Sequence, residues 1–180
     1  DLHEDPREKI VDDYNDLTEK VGAWRILKKR IVVTIGSWDN LHIGHVRYLI
    51  EAKKHGDVLI VGVDSDRGIK AYKGPLRPVI PQNERCEMLS YQEPVGYVSL
   101  IDDIDEEGAW GYELIRVIRP DVFVAVEDSY PDAQIAEIEK FCKQVVVLPR
   151  QAETSTSKTI HDTVKNAMMM SIPDIAKVLS

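Results

Sequence analysis

Two histidines three residues apart, His42 and His45, stand where a short turn gives way to a helical pattern. The block reads Gly36-Ser37-Trp38-Asp39-Asn40-Leu41-His42-Ile43-Gly44-His45. Imidazoles at this spacing share one face of a helix start, beside backbone N–H groups that have no intrahelical partner. Such a place suits an anion, above all a chain of phosphates. Capping or half-buried packing would explain one histidine there. Two of them, flanking Gly44 directly after a strand ended by Gly36, point to the anion. Gly36 tolerates the tight path that brings backbone close to a ligand. The stretch has neither the three-glycine dinucleotide fingerprint nor a Gly-Lys-Ser/Thr phosphate loop, so the phosphate contacts fall to the histidines and the helix start.

Two more stretches carry the same chemistry. In Asp64–Pro81 the cations Arg67, Lys70, Lys73 and Arg77 cluster around Gly74-Pro75, in a chain that is otherwise acidic. A basic surface loop is common, but a cationic one in an otherwise acidic chain favours phosphate binding. Arg85 on the following helix adds a guanidinium, with a surface ion pair as its other reading. In Pro149–Lys158, Thr154, Ser155, Thr156 and Ser157 put four hydroxyls in a row at a helix start, next to Arg150. One hydroxyl suffices for a cap, so the excess reads as a second set of phosphate donors.

The elements that must position these residues alternate. Apolar runs at 31–35, 58–63, 97–101, 122–126 and 145–148 read as strands. Helical patterns cover about 44–54, 82–91, a stretch ending near 119, 132–143 and 157–170, with Ser171-Ile172-Pro173-Asp174 restarting a short terminal helix. This is an α/β chain with a doubly wound, mostly parallel five-stranded Rossmann-like sheet and helices on both faces. Ligands of such sheets bind beyond the carboxyl ends of the strands. Residues 5–21, with Ile10, Tyr14, Leu17 and Val21 at helical spacing, predict one amphipathic helix that Gly22 breaks. The expected organisation is a helical arm over 1–29, a catalytic domain over 30–165 and a helical tail over 166–180.

The chain has 180 residues, 43% hydrophobic and 30% charged, with a net charge of −8. That is a full globular domain whose acidity argues against a general nucleic-acid binder. No run approaches the length of a membrane span, and no secretory segment opens the chain. Cys86 and Cys142 have no metal-like spacing and read as free thiols of a reducing, cytoplasmic compartment. A start at Asp1 without Met suggests a piece of a longer protein. The stripes at Ile10/Tyr14/Leu17 and Ile160/Val164/Met168 predict a homodimer or larger homo-oligomer.

Gly36-Ser37-Trp38-Asp39-x-Leu41-His42-x-Gly44-His45, taken with Lys73-Gly74-Pro75 and the Ser155-Thr156-Ser157 helix start, resembles the cytidylyltransferase-like family of nucleotidyltransferases. The likeness covers about residues 30–165. Lys73-Gly74-Pro75-x-Arg77-Pro78-Val79-x-Pro81 with Glu84-Arg85 is similar to sugar-phosphate adenylyltransferases that make ADP-heptose. Leu148-Pro149-Arg150 with Thr154 to Lys158 is equally similar to glycerol-3-phosphate cytidylyltransferase. The resemblance implies transfer of AMP or CMP from ATP or CTP to a small phosphorylated metabolite, with release of pyrophosphate. It implies catalytic roles for His42, His45 and Lys73. Nucleotide contacts would come from Gly36, Ser37, Trp38, Asp39, His42, Gly44, His45, Asp128, Arg150, Ser155, Thr156 and Ser157. Substrate-phosphate contacts would come from Lys70, Lys73, Arg77 and Arg85. Mg²⁺ would bridge the triphosphate, with no protein ligand assigned. Three departures stand out: Ser37-Trp38 replaces the usual Thr-Phe, Ala125-Val126-Glu127 replaces a Gly-rich segment, and Glu153 replaces a Gly. They bear on base choice and substrate, and leave a catalytically impaired nucleotide-binding or regulatory module as the alternative.

Overall fold

The β-branched run at 31–36 has side chains that fit a pleated surface buried on both sides, and it forms the central strand. The computed structural model describes residues 5–178, with residues 171–178 described by backbone alone. Its five strands are β1 (Ile31–Gly36), β2 (Val58–Asp64), β3 (Tyr97–Ile101), β4 (Val122–Val126) and β5 (Gln144–Leu148). They pair in the order β3-β2-β1-β4-β5. Every pairing is parallel, with Ile31 opposite Val58 and Val32 opposite Val122. The order reverses between β1 and β4, so a crevice opens beyond their carboxyl ends.

Among the described residues, seven α-helices connect and cover the strands: α1 (Tyr14–Ile26), α2 (Ile43–Lys53), α3 (Asp66–Lys73), α4 (Gln82–Ser90), α5 (Glu113–Ile118), α6 (Asp132–Ile138) and α7 (Thr156–Val178). Alternation along β1 sorts the core. Ile31, Val33 and Ile35 face a cluster with Leu17 and Val21 of α1 and Leu114, Ile115 and Ile118 of α5. Val32 faces the other cluster, with Tyr48, Leu49 and Ala52 of α2 and Cys86 and Leu89 of α4. The sheet is thus doubly wound, as its strand–helix alternation predicts. Among the described residues, no helix is long and apolar enough to cross a membrane. Both cysteines are free, Cys86 buried and Cys142 half-buried.

Several boundaries differ from the sequence reading. The expected single helix over 5–21 is a 3₁₀ turn at Pro6–Lys9, an extended stretch, and then α1. The stretch lies along β3, with the Val11 amide donating to the Val98 carbonyl at 2.8 Å. Asp13 restarts the helix by accepting the amides of Asn15 and Asp16. Gly22 does not break α1, because its flanks keep the helix packed through Val21. Leu17 is fully buried and the Tyr14 hydroxyl donates to the Leu100 carbonyl, so the stripe at Ile10/Tyr14/Leu17 is consumed within the chain. The loop expected at Asp64–Pro81 contains α3, capped by the Ser65 hydroxyl on the Gly68 amide and ended by Gly74 at φ +92°. The helices before β4 and β5 are shorter than the patterns suggest, and α7 runs without a restart through Pro173.

Candidate active site

The turn after β1 is fastened by groups packed beneath and beside it. Asp39 is 1% exposed. Its carboxylate accepts the Val79 amide, the Ile80 amide and the Arg77 guanidinium at 2.8–3.0 Å. Burial alone would raise the Asp39 carboxyl. The Ile80 and Val79 amides and Arg77 outweigh it and hold it below its ordinary value. Trp38, at φ +50°, turns its indole down to donate to the Gly62 carbonyl at 2.9 Å. Arg85 is also 1% exposed and donates to the carbonyls of Ile80 and Ser37 and to Asp66. The turn is therefore fastened to α3, α4 and the loop between them before any ligand arrives.

On that platform the two histidines cap α2 reciprocally. His42 Nδ1 accepts the Gly44 amide at 3.1 Å, and His45 Nδ1 accepts the His42 amide at 3.3 Å. With Nδ1 an acceptor in each, the network assigns both rings the tautomer with hydrogen on Nε2. The rings stack with centroids 3.9 Å apart. Burial, then the neighbouring His42 and Lys73, pushes His45 down to about 4, and burial lowers His42 as well. Both are neutral Nε2–H donors at neutral pH. Gly44 is required here: a Cβ would lie 2.9 Å from His42 Cε1 and 3.2 Å from Ala152 Cβ.

A cleft of about 860 Å³ lies over this turn. His42, His45, Gly36, Ser37 and Gly44 line one side, with Trp38 at their back. Lys73, at the end of α3, donates to the Ser37 hydroxyl at 2.8 Å. Its ammonium is held below the usual lysine range by burial and by Arg77, which favours a partner that carries negative charge. Arg77 lines the cleft while paired to Asp39. Arg150, Ser155, Thr156 and Ser157 line the facing side. Two ties join the sides: the Thr156 hydroxyl donates to the Asp39 carbonyl at 2.5 Å, and Arg47 on α2 donates to the Gln151 carbonyl at 3.4 Å. Glu127 and Glu153 occupy two of the positions where the family resemblance expects glycine. Glu127 accepts the Arg150 amide at 2.9 Å, and Glu153 lines the cleft.

Four expected site residues do not line the cleft. Arg85 is spent on two carbonyls and Asp66, and so supports the turn instead of meeting a phosphate. Asp39 is sealed beneath the turn. Lys70 lies on the exposed side of α3, three residues before Lys73, and Asp128 sits exposed in a turn at φ +61°. Residues that sequence reasoning passed over form the far end of the cleft: Asp64, Tyr72, Trp110, Tyr112, Tyr130 and Gln134. The Tyr72 hydroxyl donates to Asp64 at 2.6 Å. The only sequence signal for this end was position, because Asp64 closes β2 and Tyr130 follows β4.

The arrangement can bind a polyphosphate between donors on two loops and an organic group among aromatic rings. Comparison with known proteins agrees in kind. The family described as cytidylyltransferase-like matches residues 33–171. The bifunctional protein HldE of Nitratiruptor sp. is 41% identical over 119 residues, 66% of this chain and 25% of that protein. HldE of Aliarcobacter butzleri is 33% identical over 165 residues, 91% of this chain and 34% of that protein. The chain thus spans about a quarter to a third of the length of these curated relatives. A lipopolysaccharide core biosynthesis protein from Thermoplasma volcanium superposes with a TM-score of 0.59 and 26% identity, over 69% of this chain and 99% of that one. Pantoate-beta-alanine ligase from Francisella tularensis, at 16% identity and a TM-score of 0.56 over 80% of this chain and 67% of that one, shares the fold.

Proposed function

The chain belongs to the cytidylyltransferase-like family of nucleotidyltransferases, and from that footing we propose that it transfers AMP or CMP from ATP or CTP to the phosphate of a sugar or polyol phosphate. The observation that carries this reading is the pair of stacked, neutral imidazoles facing a row of hydroxyls and Arg150 across one cleft. The HldE relatives and the lipopolysaccharide core protein support a sugar-type acceptor.

An oxygen of the acceptor's phosphate attacks the α-phosphorus in line. The new P–O bond forms as the bond to the β-phosphate bridging oxygen breaks, and pyrophosphate leaves with that electron pair. No side chain is a nucleophile. His42 and His45 donate through Nε2 to phosphoryl oxygens as charge develops, Lys73 neutralises charge between nucleotide and acceptor, and the α7 hydroxyls hold the β- and γ-phosphates. Among the described residues no three His, Cys, Asp or Glu could cage a metal. Mg²⁺ would accompany the triphosphate and would supply charge neutralisation there; Glu153 is a carboxylate lining the cleft on the hydroxyl side. The exposed Val164 and Met168 on α7, with Ile160, form the remaining stripe for a homodimer.

The test is pyrophosphate release from ATP, CTP, GTP and UTP with Mg²⁺ over a panel of sugar and polyol phosphates. His42→Ala and His45→Ala each lose about 10²–10³-fold in rate without unfolding. Retained turnover in a folded double variant would sink the mechanism. Glu153, a carboxylate where triphosphate charge lies, favours the competing reading of a nucleotide-binding module that no longer transfers. Nucleotide binding with no turnover on any acceptor would select it.

A further inference from the structure

A second charged cavity, of about 530 Å³, lies at the amino ends of the strands, away from the cleft. Five cations line it: Arg25, Lys28, Lys29, Arg30 and Lys143. Asp121 is the carboxylate in its wall, and Gln144 adds an amide. The cleft stands beyond the carboxyl ends of the same parallel strands, so the two cavities are separated by the length of the sheet. We propose that this second cavity binds a compact, multiply charged phosphate compound, recognised by its charge alone. The site is independent of whether the cleft transfers a nucleotide.

The chain carries a net charge of −8, yet five of its 23 lysines and arginines meet here. They come from two connections that the fold brings together. Arg25 lies in the last turn of α1, Lys28 to Arg30 run on from it into β1, and Lys143 precedes β5. Structural needs account for part of this charge. Cations suit a helix C-terminus, and Arg25 donates to the Ile118 and Arg119 carbonyls at the end of α5. Lys143 pairs with Asp121. Lys29 lies 3.6 Å from Asp57, with both side chains nearly half exposed, where water weakens the pair. Both carboxylates also serve the backbone, Asp121 accepting the Ile31 amide and Asp57 the Arg30 amide. The rest is unspent. The Lys28 ammonium bonds to no described residue, and the Arg30 guanidinium donates to Gln144 Oε1, an uncharged oxygen, at 3.0 Å. Lys28 stands at φ +57°, a helix-end conformation that glycine adopts without strain. Five cations against two carboxylates leave the cavity positive even after the negative ends of α1 and α5 are counted. Among the described residues, its wall holds no aromatic or aliphatic side chain on which a base could stack. The charges stand on two connections, which fits phosphate groups linked in a chain. Ile26 and Leu27 are exposed in the same connection but form no part of the wall, so a lipid surface is the competing partner.

The probe is inorganic tripolyphosphate, titrated at low salt into the isotope-labelled full chain and followed amide by amide by NMR. Amides of residues 28–30 and 143–144 are expected to shift and saturate with a Kd of about 1 mM or tighter, whatever the amides of the histidine turn do. Lys28 and Lys143 are both exposed and lie outside the cleft. Replacing them together, Lys28→Gln with Lys143→Gln, should weaken binding at these amides by about 10-fold or more, the worth of a charged hydrogen bond. The response at the histidine turn should stay as in the wild type. Shifts confined to the histidine turn would overturn the proposal. So would the same shifts produced by sodium chloride at matched ionic strength, which would reduce the site to general screening. Sedimentation with phosphatidylglycerol-containing vesicles that depends on the two lysines, with no response to tripolyphosphate, would overturn it in favour of a lipid surface. If the double variant melts early, the wild-type shifts decide alone, since they are read residue by residue.

Discussion

The two sides of the cleft are made differently. The side after β1 is fastened before a ligand arrives: Asp39 holds two amides and Arg77, Arg85 holds two carbonyls and Asp66, and the Trp38 indole is pinned to Gly62. The side that opens α7 has few such bonds. The Ser155 hydroxyl caps the Lys158 amide and Thr156 reaches Asp39, while Thr154 and Ser157 face the cleft with hydroxyls that bond to no described residue. One side is preorganised, and on the proposed reading the other receives its partners from the ligand. Loss on the first should therefore cost stability and rate, and loss on the second should cost binding alone.

The largest expected effect breaks the first side from below. Asp39→Ala strands the Arg77 charge and two amides, and should destabilise the fold by about 3–5 kcal/mol. Chemical denaturation measures this, and a midpoint equal to wild type would show that the turn does not depend on Asp39. Next, Gly44→Ala drives a Cβ against the His42 ring. It should lower kcat/KM by about 10²-fold, the penalty for misplacing a donor by an ångström, with α2 still helical by circular dichroism. Undiminished turnover would disconnect the His42 orientation from rate.

A pH series sharpens the same side. His45 is depressed to about 4 in the fold against 6.5 ordinarily. The folded state then binds fewer protons than the unfolded one between these values. The His45 contribution to stability is full above about 6.5 and is lost as pH falls toward 4. Neither imidazole should contribute an ionisation at the ordinary histidine value, since neutral imidazoles are the donors. The acceptor's own phosphate titrates at about 6, so NMR titration of the two rings in the free protein is the check, and a ring titrating at 6.5 would mean that burial does not suppress its imidazolium. The smallest effect belongs to the other side. Ser157→Ala should raise KM for the triphosphate by about 3- to 10-fold, the net worth of one ordinary hydrogen bond, with kcat and melting unchanged. A drop in melting temperature there would erase the contrast between the sides.

The sheet was legible because its strands are buried on both faces, and a run such as Ile31-Val32-Val33-Thr34-Ile35 has no competing period. The histidine turn and the hydroxyl row were legible because their donors are contiguous. Arg77 and Arg85 look alike in sequence, yet one lines the cleft and the other is sealed beneath it, a difference set by where α4 packs. The aromatic end has no local signature, since Tyr72, Trp110, Tyr112 and Tyr130 come from three separate connections. Two misplaced boundaries did carry a signal. Asp13 before Tyr14, and Ser65 three residues before Gly68, are helix caps at readable spacing.

The single hydrogen bond from Thr156 to Asp39 spans 117 residues of chain. All five strands are laid down by Leu148, and no residue from 149 to 170 is buried. In chain order, the residues around the histidines and at the aromatic end all precede the hydroxyl row. The protein can thus complete its sheet with half a clamp. A chain cut just after β5 would keep all five strands and, on the proposed reading, lack the hydroxyl side of the clamp.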